Sequence, residues 1–118
     1  MPIVLEPRPP NDAETAVLAH ILAADFPGAT ELRPQIDLIQ VIAQWQPDST
    51  SVDFRAAGPI VRSPHPDGPI EATVVSPAGE EIGEILIWVV DGVLAALEHA
   101  WWTDAMPTVL PAPDRLRV

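Results

Sequence analysis

Apolar positions follow two rhythms along the chain, one helical and one alternating. Val17, Leu18, Ile21, Leu22 and Phe26 recur at helical spacing behind Asn11-Asp12-Ala13-Glu14. Asn11 or Asp12 can cap, and Glu14 stands at capping-box distance from Asn11 while adding negative charge at the helix start. Pro27-Gly28 stops this helix, which spans 12–25. Ala29 to Pro34 adds a short turn with Glu31 and Arg33 exposed. From Ile36 to Trp45 helix and strand both fit. The β-branched residues, and the turn cluster Gln46-Pro47-Asp48-Ser49 behind them, favour a strand at 37–46. Thr50 to Arg55 then alternates, with Val52 and Phe54 on one side and Asp53 and Arg55 on the other.

Ile70 to Val75 alternates as a half-buried strand, Ser76-Pro77-Ala78-Gly79 turns the chain, and Glu80 to Val90 runs on as a strand that suits the middle of a sheet. Asp91-Gly92 between two apolar runs asks for a type I′ hairpin turn, whose central residues both need positive φ. Counting from that turn pairs Val90 with Val93, Trp88 with Ala95, Leu86 with Leu97 and Glu84 with His99. Leu86, Trp88, Val90, Val93, Ala95 and Leu97 would then form one apolar face, buried against the N-terminal helix. Ile85, Ile87 and Val89 share the other with Leu94, Ala96 and Glu98. Residues 93–100 also have high helix propensity, with Asp91 as a cap, but the consistent faces favour the strand. Pro clusters at 2–10, 59–69 and 107–113, so these stretches are neither helix interiors nor central strands. The expectation is an α+β fold, one N-terminal helix packed on an antiparallel sheet of about five strands. Residues 1–118 form a single domain, with a Pro-rich arm at 1–10 and a Pro-rich tail at 103–118.

The stretch Gly83 to Glu98, continuing through Trp101, Thr103-Asp104, Pro107 and Pro111 to Pro113, resembles the C-terminal signature of a group of small, mainly actinobacterial proteins of unassigned function. That signature is an apolar run, Asp-Gly, Leu, Leu-Glu, an aromatic residue, Asp and Pro. Similar endings occur in proteins resembling the immunity partners of polymorphic toxins. The resemblance covers about the last third of the chain. It implies the hairpin rather than the helix, and it transfers no catalytic residue.

Composition narrows the partners. The 118 residues suit one domain, and 47% apolar against 19% charged residues allow a core. Six Arg and no Lys against 17 Asp plus Glu give a net charge of −11. The scattered Arg and the acidic field argue against nucleic acid and against an anionic membrane surface, and favour a basic partner protein. With no Cys, a disulfide scaffold, a zinc–thiolate site, an iron–sulfur cluster and a Cys nucleophile are excluded. The opening residues do not read as a secretory signal, and the Ile85–Val90 run is too short to span a bilayer, so a cytoplasmic protein is expected.

Candidate chemistry centres on His99. Opposite Glu84, near Trp88 and Trp101, its pKa would rise and the pair could serve acid–base chemistry; otherwise it is a cross-strand polar pair at the sheet's periphery. His20 belongs on the helix surface and His65 in an exposed loop, and the three His show no metal-ligand spacing. Glu80, Glu81 and Glu84 read as a solvated edge. Trp101 and Trp102 would point to opposite faces if the strand continues; core packing of both is favoured over one turned outward as a binding anchor. No phosphate-binding or nucleophile-elbow motif is present, and neither a catalytic residue nor a cofactor is expected. Two functions follow. One is a non-catalytic interaction module, immunity-like or accessory, binding through the outer sheet face and the 59–69 loop with Asp53, Arg55 and one of the tandem Trp; a homodimer through an exposed sheet edge or face fits this function and the next alike. The other is a small-ligand or enzymatic domain with a pocket between helix and sheet, lined by Trp88, Trp45 and His99.

Overall fold

In the computed structural model, which describes residues 2–118, Asn11 and Glu14 close the start of the first helix in both directions. The Glu14 backbone N–H donates to Asn11 Oδ1 at 2.8 Å, and the Asn11 N–H donates to Glu14 Oε1 at 2.8 Å. This capping box starts α1 (Asp12–Leu22), which ends before the expected residue 25. Arg33 explains the early end: its Nε donates to the Leu22 carbonyl at 2.6 Å, and another guanidinium nitrogen donates to the Ala24 carbonyl at 3.1 Å. A second short helix, α2 (Ala29–Leu32), runs directly into a 3-10 helix at Arg33–Leu38, so the strand expected from residue 37 begins only at Ile39.

The sheet has seven strands rather than about five. They are β1 (Ile3–Arg8), β2 (Ile39–Gln44), β3 (Val52–Ala56), β4 (Gly68–Val75), β5 (Glu81–Val90), β6 (Val93–Trp101) and β7 (Leu116–Arg117), in the order β1-β2-β3-β6-β5-β4-β7. Every pairing is antiparallel. The two unforeseen strands lie at the edges, where missing N–H groups cost nothing, and both come from the Pro-rich ends of the chain.

Residues 93–100 are strand, and the Asp91-Gly92 turn has φ of 53° and 74°, as a type I′ turn requires. The counted register holds at Val90–Val93 and Val89–Leu94 and no further. Ala95 is an extra residue, a β-bulge, after which Trp88 faces Ala96, Ile87 faces Leu97, Leu86 faces Glu98 and Ile85 faces His99. The expected Glu84–His99 pair therefore does not form; Glu84 faces Ala100. The core face is also the reverse of the expected one. Ile85, Ile87, Val89, Leu94 and Leu97 are fully buried, whereas Trp88 and Leu86 lie on the opposite, half-exposed side. The bulge lets Leu94 and Leu97, three positions apart, point the same way.

Val17, Leu18, Ile21 and Leu22 of α1 and Leu32 of α2 complete that core against Val41, Val52, Phe54, Ala72 and Val74. Gln35, buried in the 3-10 helix, fastens the hairpin tip to it: Oε1 accepts from the Leu94 N–H at 2.9 Å, and Nε2 donates to the Gly92 and Val61 carbonyls at 2.9 and 3.0 Å. The 57–67 loop crosses the same region through Ser63, whose N–H donates to the Gly92 carbonyl at 2.9 Å and whose Oγ donates to the Gly28 carbonyl at 2.7 Å. A methyl group on Gly92 would sit 2.6 Å from the Ser63 carbonyl oxygen, so this position needs glycine for both its φ and its neighbour. The loop thus lies along the helical side. His65 is half-buried rather than exposed, its ring edge-on to Phe26 at 5.7 Å. Among the described residues, no helix is long and apolar enough to cross a membrane.

Candidate functional site

With both helices packed on one side, the other side of the sheet is left open. Strand alternation decides what it displays. One row runs Val4–Ala43–Asp53–Ala96–Trp88–Pro69 across six neighbouring strands. The next runs Glu71–Leu86–Glu98, and the next Thr73–Glu84–Ala100. Val4 is 87% exposed, and small Ala43 and Ala96 make a shallow floor in the middle.

Two indoles stand on this floor, and each is fixed by a carboxylate. Trp88 Nε1 donates to Glu98 Oε1 at 3.0 Å, and Trp45 Nε1 donates to Asp53 Oδ1 at 3.0 Å. A charged acceptor strengthens such a bond and holds the ring in one orientation. Among the described residues of these rows and of β3, Asp53, Glu71, Glu84 and Glu98 stand against Arg55 and, opposite Thr73 at the β7 edge, Arg117, which is paired with Glu81. The face is flat, aromatic and acidic.

The five candidate residues therefore divide. Glu84 and Trp88 lie on the open face, and Glu98, which the counted register had put on the other face of the sheet from Trp88, joins them there. His99 and Trp101 share the parity of the core, with Trp101 facing Gly83. Trp102 lies beyond the strand, its backbone N–H donating to the Ile82 carbonyl at 2.9 Å; it is 56% exposed and Trp101 37%, so neither is packed into the core.

His99 is not a carboxylate-paired imidazole. It is 6% exposed; Nδ1 lies 2.9 Å from Thr50 Oγ1, and its backbone N–H donates to Ser51 Oγ at 2.9 Å. Burial lowers its pKa from the ordinary 6.5, opposite to the rise that a Glu84 partner would cause, and the ring is neutral at pH 7. The pocket expected between helix and sheet also takes another form. Trp45 and His99 border a common cleft of about 440 Å³, open where β6 runs past its two-residue pairing with β3, and Trp88 is not part of it. A larger cleft of about 610 Å³ beside α1 holds Arg8 and Glu14, which are committed to each other at 2.8 and 3.0 Å. Among the described residues, no three His, Asp or Glu side chains gather as a metal site.

Thr50 and Glu98 became functional candidates only through the bulge. The spacing of Leu94 and Leu97 was its signal, since both can be buried only if one residue between them is extra. Glu84, on the parity of Leu86 and Trp88, marked that face as the wet one. No family model, curated protein or solved structure matches the chain.

Proposed function

We propose that the protein is a non-catalytic interaction module, immunity-like or accessory, acting in the cytoplasm, whose open sheet face takes a basic surface of another protein. The observation that carries this is the pair of carboxylate-fixed tryptophans on an uncovered, acidic sheet face. Large rings already held in place lose little conformational freedom on binding, which is why Trp anchors dominate interfaces. Six strands at ~4.8 Å spacing and about eight residues at ~3.3 Å give roughly 600 Å². That approaches the ~800 Å² per partner of a standard interface.

Charge selects the occupant. A net charge of −11 steers a cationic surface inward and repels phosphate backbones and anionic lipid. A second copy docked face to face would set Asp53, Glu71, Glu84 and Glu98 against the same carboxylates, which disfavours a homodimer through this face.

The test is affinity purification from the source cells with wild type and with a Trp88→Ala/Glu98→Lys variant whose fold is checked by circular dichroism. The expected result is a basic protein recovered at low salt with wild type and lost with the variant. Equal recovery by both, or recovery of acidic partners only, contradicts the proposal.

A further inference from the structure

A third cleft, of about 240 Å³, opens at the end of the core face where the segment after Trp102 folds back toward β4 and β5. Its walls are apolar: Val74, Ile82, Trp101, Pro107, Val109 and Pro111. Although the chain carries 17 Asp and Glu, none of them lines this cleft. Its charged group is Arg115, half-buried.

Most arginines here are committed elsewhere. Arg8, Arg62 and Arg117 each hold a carboxylate, and Arg33 holds two carbonyls. Among the described residues the Arg115 guanidinium has no such partner, within a protein rich in acids. His99 lies beside it in the same cleft. Its Nδ1 is taken by Thr50 on the β3 side, which leaves Nε2 at the other end of the ring. Among the described residues Nε2 makes no hydrogen bond, and no sealed side-chain nitrogen or oxygen lacks a partner, so this atom is accessible, on a residue that lines both this cleft and the one of about 440 Å³. The Thr50 hydroxyl can donate to Nδ1 or accept from it; in the tautomer in which it donates, the neutral ring carries its proton on Nε2 and presents a donor.

From this geometry we infer that the cleft is a binding site for a small monocarboxylic acid with a compact apolar body, its carboxylate received by Arg115 and His99 Nε2 and its body stacked on Trp101. The volume lies below the ~300 Å³ lower end of pockets for drug-sized ligands, which limits the body to one ring. A cation is repelled by Arg115. A polyanion would waste the apolar walls and meet a single guanidinium. The site is separate from the open sheet face, so the fate of either leaves the other standing.

The test is a titration of the whole protein with phenylacetate and with phenylacetamide, its uncharged counterpart, followed by ¹H–¹⁵N spectra of the four tryptophan indoles. Phenylacetate is expected to shift the Trp101 resonance saturably and leave the carboxylate-bonded Trp45 and Trp88 indoles in place. The amide is expected to bind about tenfold more weakly or worse, since it loses the charge-assisted bonds. In Arg115→Met, which keeps the apolar stem, acid and amide should bind alike. No saturable Trp101 shift at millimolar phenylacetate, equal binding of acid and amide to wild type, or an undiminished preference for the acid in Arg115→Met each overturns the inference.

Discussion

Glu14 carries more of the structure than any other carboxylate. It is 4% exposed, caps α1 through Asn11 and takes both terminal nitrogens of Arg8, so one side chain ties the first helix to β1. Glu14→Ala removes the cap partner and leaves Arg8 unpaired; with Arg8 partly solvated, the expected loss is about 2 kcal/mol in urea denaturation. Glu14→Gln keeps the reciprocal cap and should lose less; equal losses would show that the cap does not matter. His99 gives the chain a pH signature. Above its ordinary pKa of 6.5 the ring is neutral folded and unfolded and contributes no slope. Below it, the unfolded chain takes up a proton that the buried ring resists, so stability falls with pH down to the lowered folded pKa, at most about 1.4 kcal/mol per unit. Arg115 lines one cleft with His99 and Glu98 lines the other. His99→Gln, compared with wild type between about pH 7.5 and 5.5, should remove that component. An unchanged slope contradicts the burial account.

The β5–β6 hairpin shows how far sequence reasoning reached. Asp91-Gly92 located the turn, and the capping box located α1, because both depend on a few adjacent residues. The alternation of Val52, Asp53, Phe54 and Arg55 assigned those side chains to the right faces for the same local reason. The hairpin's faces were not legible by counting, because one extra residue inverts everything beyond it. The edge strands were hidden because Pro7 and Pro113 speak against central strands and say little about edges. The bulge makes a sharp prediction. Deleting Ala95 removes only the extra residue and leaves Leu94, Leu97 and His99 on the core face, so the protein should still melt cooperatively with native-like near-ultraviolet circular dichroism. Deleting Leu86 exchanges the faces along half of β5 and should abolish the folded state. Similar melting of the two deletions would mean that the register has been misplaced.

Over the whole molecule, one side is closed by helices and the other is open, aromatic and acidic. Such an arrangement gives binding that weakens with salt, because long-range attraction between the −11 chain and a cationic surface is screened within about 8 Å at physiological ionic strength. Raising salt should slow association with the basic partner much more than it speeds dissociation, as surface plasmon resonance would show; a salt-independent on-rate contradicts electrostatic steering. The most direct test of the open face is hydroxyl-radical footprinting of the purified complex, read at the individual tryptophans. Trp45 and Trp88 should both lose reactivity when the partner binds, while exposed α1 residues such as His20 keep theirs. Protection of α1 with Trp45 and Trp88 unchanged would place the partner on the helical side and contradict the account.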